Sequence, residues 1–284
     1  MTPLTLPDWL PPHLFADKTF RDLTPAEVEA LRRRLALFKP AAPEVSVVIP
    51  AWNEADNIFR TLSSLAANVT SQRVEIIVVN NNSTDSLQQV LDTLGVVSYF
   101  EPRQGIAYAR QLGLEKARGK YHLCADADTF YPPHWIELMT QPMRSSADVT
   151  GVYGRYAFLP PHGQGRRSLW VYEFFASLMV QVRKKKQEAW NVLGFNMGFV
   201  AAVGRTTGGF QTDEVRVFHN EQNVEESEDG RIAVRLSSRG QLNMVTAAKA
   251  LVFTSSRKIL QDGSVFQAFL NRFRRHVSRV SDYI

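Results

Sequence analysis

A single cysteine, Cys124, in 284 residues excludes any disulfide framework within the chain. It lies in the apolar run Tyr121-His122-Leu123-Cys124-Ala125 and reads as a buried, inert thiol, so a reducing cytoplasm is the expected compartment. Long hydrophobic runs are missing as well. The most apolar later stretch, Leu169 to Val182, contains Glu173 and Gln181. It falls short of the roughly 18–20 residues that a span needs, so no transmembrane segment is expected. Residues 1–20 hold Pro3, Pro7, Pro11 and Pro12 without a cationic segment leading into an apolar run, and read as neither a signal peptide nor a membrane helix. No Gly-x-Gly-x-x-Gly follows a strand and no Gly-x-x-x-x-Gly-Lys-Ser/Thr occurs, which weakens dehydrogenase and P-loop readings. His122 and His219 have no metal-ligand spacing and read as structural. Internal repeats and low-complexity tracts are absent.

What is present is a modest cationic excess and a regular alternation. The net charge of +5 suits an anionic partner such as a nucleotide or a phospholipid surface. The clusters Arg32-Arg33-Arg34, Arg183 to Lys186 and Arg272 to Arg279 equally suit solvated helix faces. Residues 1–43 read as a peripheral arm with a helix, because Thr24 can cap, Pro25 fits the first helical position and Glu27 lies three residues on. From Val45 the chain alternates. Strands are expected at Val45–Ile49, Val74–Val79, Val96–Phe100 and Tyr121–Ala125, with helices at Asp56–Ala67, Thr84–Leu94 and Ile106–Ala117 between them. That order predicts an α/β fold whose first half is a doubly wound, mainly parallel sheet flanked by helices. Beyond it the spacing predicts a strand over Val149–Phe158, a mobile loop at Pro160–Gly165 and a helix over Trp170–Lys186. A glycine-spaced stretch follows at Gly194–Gly209, then a helix at Val224–Arg239 and a basic amphipathic tail at Phe266–Val280.

Three polar clusters fall at the carboxyl ends of predicted strands, the edge where open α/β sheets place ligands. The first is Pro50-Ala51-Trp52-Asn53-Glu54, whose Asn53 and Glu54 suit ligand contact and the start of a helix alike. The second, Asn80-Asn81-Asn82-Ser83-Thr84-Asp85, offers amides that can donate and accept towards a nucleobase, although turns use the same residue types. The third is Asp126-Ala127-Asp128. In extended chain the two carboxylates would share one side and attract a hard divalent cation, Mg2+ or Mn2+, that keeps positions open for water and diphosphate oxygens.

These motifs, taken in order over roughly residues 45–240, resemble the family 2 glycosyltransferases, inverting enzymes of the GT-A fold. Val45 to Glu54 resembles the family's opening strand and donor loop, Val78 to Asp85 its second-strand motif and Gly105 to Arg110 its third segment. Asp126-Ala127-Asp128 with Pro133 and Trp135 resembles its metal motif, Gly208-Gly209-Phe210 its acceptor-side turn, and Glu228-Asp229 with Arg235-Leu236 its base-bearing helix. Two departures stand out. Asn80 and Asn81 replace an acidic pair of which one member typically binds the uracil imide. The processive Gln-x-x-Arg-Trp is absent, Gln267 and Arg272-Phe273 having the wrong spacing, so a single-sugar transfer is expected.

The resemblance implies a hexosyltransferase that moves sugar from a UDP-, GDP- or dTDP-sugar, UDP being the first choice, to a glycan or lipid-linked acceptor in cell-surface polysaccharide or glycolipid synthesis. It implies Asp229 as catalytic base beside Glu228, and Asp128 with Asp126 as holders of the metal. Pro50, Ala51, Asn53, Glu54, Asn80, Asn81, Ser83, Gly105, Asp126, Ala127 and Asp128 would form the donor site. Arg103 and Arg110 are diphosphate candidates from their place at the sheet's ligand edge. The acidic cluster Glu225, Glu226, Glu228 and Asp229 would raise one carboxyl pKa and so suit a base. Residues 44–250 are expected to form the catalytic domain, divided at 130/131 into donor and acceptor halves, with 251–284 a basic helical tail. The protein is expected in the cytoplasm, with contact at the inner membrane face and no nucleic-acid partner. Two other classes compete. A nucleotidyltransferase needs a glycine- and lysine-bearing loop that Pro50–Glu54 lacks, and a catalytically decayed GT-A protein would act as a nucleotide- or membrane-surface-binding module.

Overall fold

The computed structural model describes residues 2–161, 165–184, 188–211 and 228–257. The arm contributes α1 (Pro11–Leu14) and α2 (Pro25–Ala36). Helix α2 starts as its sequence dictates: Thr24 Oγ1 accepts from the Glu27 N–H and the Thr24 N–H donates to Glu27 Oε2, with Pro25 at the first helical position. The arm is not peripheral, contrary to expectation. Leu31 and Leu35 pack into the main core, Leu10 joins Phe130, Ala157 and Phe253, and buried His13 meets Ser63 Oγ at 2.9 Å. A proline-rich composition discourages regular structure, but it does not keep leucines in water.

The alternating half follows as β1 (Val45–Ala51), α3 (Ala55–Leu65), β2 (Val74–Asn80), α4 (Leu87–Leu94), β3 (Val97–Phe100), α5 (Ile106–Lys116) and β4 (Tyr121–Cys124). Every residue of β1 and β2 is buried, as parallel strands covered on both faces require. Their side chains divide by parity: Val47, Ile49, Ile76 and Val78 enter a core with α3, α4 and α2, while Val48, Ile77 and Val79 face α5. Helix α4 begins later than Thr84 because Asp85 Oδ1 accepts from the Leu87 N–H at 3.0 Å.

The second half holds β5 (Thr129–Phe130), α6 (Trp135–Ser145), β6 (Val149–Gly154), β7 (Tyr156–Leu159), α7 (Arg167–Lys184), β8 (Met197–Val200), α8 (Ala201–Thr206), α9 (Glu228–Ser237), β9 (Gln241–Val245) and β10 (Val252–Ser255). The main sheet has the order β3-β2-β1-β4-β8-β6-β9, parallel through its first four strands, with β8 antiparallel to both β4 and β6. A small sheet, β5-β10-β7, lies beside it. The expected strand Val149–Phe158 is therefore two strands in two sheets. Asn196 makes the corner: its carbonyl accepts from the Gly154 N–H and its Nδ2 donates to Arg155 O at 2.8 Å, and a side chain on Gly154 would overlap that amide. The glycine-spaced stretch Gly194–Gly209 conceals β8 and α8. The expected helical tail from 251 opens instead as strand β10, paired in parallel with β7, so Val252 and Phe253 belong to the core. Phe266–Val280, His219, Glu225, Glu226 and residues 162–164 of the Pro160–Gly165 loop lie outside the described residues, as does the start of the helix expected from Val224. Among the described residues, no helix is long and apolar enough to cross a membrane.

Burial governs three side chains that can titrate. Cys124 has its thiol pKa pushed up to about 12, chiefly by burial. His122 stacks on Phe199 with ring centroids 4.7 Å apart, neither ring nitrogen has a hydrogen-bond partner among the described residues, and its pKa is lowered to about 3 by burial and then by Arg205 and Arg110. His13 is lowered to about 4 by burial and Arg34. The unfolded chain takes up these protons near pH 6.5, whereas the folded protein refuses them until the lower values. Stability is therefore fully present above pH 6.5 and declines as pH falls towards 4 and 3. Calorimetric unfolding should show the midpoint dropping over that window. His122→Phe, which keeps the stack and removes two orphaned nitrogens, should flatten the drop and stabilise by about 1 kcal/mol at pH 7.

Candidate active site

The three sequence clusters meet at the carboxyl edge of β1, β2 and β4. Pro50 and Ala51 are the last residues of β1, paired with Val79 and Asn80 of β2. Asn53 then takes a left-handed conformation, φ 53°, which asparagine tolerates. Its Oδ1 accepts from the Thr84 N–H at 2.8 Å, and its own N–H donates to Ser83 Oγ at 3.0 Å, tying the first loop to the second. Asp85 Oδ2 accepts from the Ala55 N–H, closing the start of α3.

The two asparagines read as base-binding amides are occupied by their own chain. Buried Asn80 donates to Gln88 Oε1 at 3.0 Å and accepts from the Ser83 N–H at 3.0 Å. Buried Asn81 donates to Arg103 O at 2.6 Å and accepts from the Gly105 N–H at 2.9 Å, so it folds the 101–105 loop. Gly105, at φ 141°, occupies a conformation that side chains rarely adopt and starts α5. Arg103 makes a two-pronged pair with Glu101, at 2.8 and 2.9 Å, and lies over the Tyr108 ring. That hydrogen-bonded pair raises the Arg103 pKa and lowers that of Glu101.

Asp126, Ala127 and Asp128 are not an extended segment, contrary to expectation: β4 ends at Cys124 and the chain turns at Ala127–Asp128. Ala127 O accepts from Thr61 Oγ1, and the Asp126 N–H donates to Tyr131 Oη, which donates to Phe195 O at 2.9 Å. The two carboxylates are held by different arginines. Arg110, on α5 and 3% exposed, gives Nη2 to Asp126 at 3.1 Å and Nη1 to Glu228 at 3.2 Å. Burial alone would lower its pKa, but Asp126, Glu228 and Asp229 together raise it. Arg110 is thus a buried tie between the end of β4 and the start of α9, neither the exposed helix cation nor an open diphosphate group. Asp229 Oδ2 accepts from the Gly194 N–H at 2.8 Å, and Gly194 presses so closely on Arg110 that any side chain there would overlap the guanidinium. Gly208 and Gly209 turn with φ 92° and 58°, and Phe210 buries beside Arg110 while its N–H donates to Gln111 Oε1. Arg235 donates to Gly209 O at 3.0 Å, joining that turn to α9.

Asp128 meets a residue that sequence reasoning missed. Arg257, just past β10, places Nη2 3.0 Å from Asp128 Oδ2 and 2.7 Å from Glu54 Oε1. Burial raises the Glu54 pKa and Asp128 adds to the rise, against the lowering by Arg257. No local motif marks Arg257; only its distance from a cluster 129 residues away reveals it. Among the described residues, no three His, Cys, Asp or Glu side chains gather as a metal cage. One or two carboxylates at a site already balanced by a guanidinium still fit Mg2+ or Mn2+, which fill their shells with water and phosphate oxygens.

The sequence profile described as Glycosyl transferase family 2 matches residues 46–206, more than half of the chain. The chain belongs to glycosyl transferase family 2. Among family relatives, the Uncharacterized glycosyltransferase YibD of Escherichia coli is 31% identical over 121 residues, covering 40% of this chain and 35% of that protein. The chain therefore spans well under two thirds of that relative. The mannosyltransferase PcManGT of Pyrobaculum calidifontis, solved with GDP-Man and Mn2+, superposes with a TM-score of 0.56 at 20% identity, over 87% of this chain and 70% of that one. Glucosyl-3-phosphoglycerate synthase of Mycobacterium tuberculosis, solved with Mn2+, UDP-glucose and phosphoglyceric acid, gives 0.52 at 16% identity, over 88% and 84%. These likenesses establish the GT-A fold: a mostly parallel central sheet flanked by helices.

The buried tie has a measurable weight. Arg110→Met leaves Asp126 and Glu228 without their counter-charge and should cost about 3–5 kcal/mol in urea unfolding. Gly194→Ala should destabilise by the same route while leaving both carboxylates and the arginine in place.

Proposed function

We propose that this family 2 glycosyltransferase moves one hexose from a nucleotide-diphosphate sugar to an acceptor hydroxyl with inversion. The observation that carries the reading is Arg110, whose one guanidinium joins Asp126 of the donor-side turn to Glu228 beside Asp229. A donor held at the first and a base on the second would keep a fixed separation, which is what a single in-line displacement needs. Residues 44–130 serve as the donor half and 131–250 as the acceptor half. Pro50, Ala51, Asn53, Glu54, Ser83, Arg103, Gly105 and Ala127 line the donor edge, and Asn80 and Asn81 act through the loops they fold. When bound, a Mn2+ or Mg2+ ion at Asp128 and Asp126 supplies charge neutralisation for the departing nucleoside diphosphate.

Asp229 takes the proton. As the acceptor oxygen bonds to the anomeric carbon and the phosphate oxygen leaves from the opposite side, an Asp229 carboxylate oxygen accepts the hydroxyl hydrogen. Both of its oxygens already accept one backbone N–H, from Gly194 and Gly230, which fixes their direction and leaves lone pairs for the substrate. Glu228 orients the helix start through Arg110. UDP is the first choice of nucleotide. GDP and dTDP follow; a UDP sugar and a GDP sugar are each bound by a neighbouring fold, which supports the first two of the three. A glycan or lipid-linked acceptor used at the cytoplasmic membrane face is supported by α7, whose Val171, Phe175 and Leu178 are exposed at helical spacing.

Calorimetric titration with UDP, GDP, dTDP and CDP, with and without Mn2+, should find one nucleotide whose binding needs the metal and is lost in Asp128→Ala. No binding of any nucleotide would favour a decayed nucleotide- or surface-binding module. Asp229→Asn should keep donor binding and lower kcat by about 10²–10⁴; retained turnover removes Asp229 as the base. Flotation with anionic vesicles at low salt should carry the protein upward, and Phe175→Ser should weaken that; complete absence from the vesicles rejects the membrane contact.

A further inference from the structure

Four arginine ion pairs of the protein are built to different strengths. Arg103 grips Glu101 with two nitrogens, Arg110 is buried between two carboxylates, and Arg166 holds Glu173 at 2.7 Å with both side chains 2% exposed. Arg257 differs in its grip: Arg103, 63% exposed, holds its carboxylate with two nitrogens, whereas Arg257, 52% exposed, makes both of its carboxylate contacts with a single nitrogen, Nη2. Two-pronged and buried pairs persist, whereas an exposed single-nitrogen contact is weak and easily exchanged. Its partners explain why a cation is needed there at all. Glu54 follows β1 and Asp128 follows β4, and two carboxylates that lie 2.7 and 3.0 Å from one guanidinium nitrogen need a positive charge between them. Backbone fixes the third corner, since the Ser255 N–H donates to Asp128 O at 3.2 Å and brings Arg257 to the same spot.

We propose that Arg257 is the protein's own exchangeable counter-cation for the donor site. It bridges Glu54 and Asp128 while no donor is bound, yields Asp128 to a divalent cation that arrives with a nucleoside diphosphate, and then contacts the diphosphate with its guanidinium. The proposal rests on the donor-site reading given above and adds a competition within it. Guanidinium and metal cannot both own the same carboxylate oxygen, so the free protein holds metal poorly and the nucleotide complex holds it well. The site therefore discriminates between a bare divalent cation and one that carries a diphosphate.

Electron paramagnetic resonance titration of Mn2+ with the full chain tests this without any turnover. Nucleotide-free Arg257→Gln should bind Mn2+ about tenfold more tightly than the wild type, and in saturating Mn2+ it should bind UDP or GDP about tenfold more weakly. Arg257→Lys, which keeps the charge, should stay near the wild type in both. Equal Mn2+ affinities of the nucleotide-free wild type and Arg257→Gln overturn the proposal, as does an unchanged nucleotide affinity. If the wild type shows Asp128-dependent binding of a metal–nucleotide pair and Arg257→Gln behaves identically, only the role of Arg257 falls. If no nucleotide draws Mn2+ to the wild type, the donor-site reading falls and this proposal with it.

Discussion

Everything at the candidate site depends on one buried charge. Arg110 cannot lose its proton, cannot reach water and must find carboxylates, and it finds one on each side of the sheet edge. Removing a guanidinium from water costs several kcal/mol, which only close and well-directed partners offset. Gly194 has no side chain because that space belongs to the guanidinium, and its N–H is then near enough to hold Asp229. Phe210 closes the same pocket from the turn after α8. Four segments distant in sequence are thus fixed relative to each other by the needs of a single side chain.

The alternating half was legible because its signals are local. Val45 to Ile49 and Val74 to Val79 are β-branched runs that end in polar clusters, and the strands close where those clusters begin. The Thr24–Glu27 cap carries its own signature and forms as written. Asn53, Asn81 and Asp126 were marked as site residues by position at strand ends. Their partners were not legible, because Asn81 folds a loop 20–24 residues away and Asp126 answers an arginine on another helix. The residue types of a binding site and of a turn are the same, and only geometry separates them.

The second half was hard to read because its strands are short and its glycines mislead. Met197-Gly198-Phe199-Val200 looks like loop, yet Gly198 is there because a side chain would overlap Leu123 on the neighbouring strand. The run Val149–Phe158 reads as one strand, because nothing in it announces that Asn196, some forty residues on, will bend it between two sheets. Arg257 lies beyond every recognisable motif. Its significance arises only when β10 joins β7 and carries the next residues to the acidic edge.

Strand β8 has a consequence for how the molecule comes into being. It fills the gap between β4 and β6, antiparallel to both, and it is made after each of them. Until it arrives, β4 has one satisfied neighbour, β1, and one open row of backbone donors and acceptors at Tyr121–Cys124. During synthesis the growing chain therefore carries an unpaired apolar edge for the whole interval from residue 124 to residue 197, the kind of edge that other chains can join. Both pairings of β4, Val45 with Tyr121 on one side and Tyr121 with Val200 on the other, are long-range, so the middle of the sheet closes later than the near-neighbour pair β1–β2.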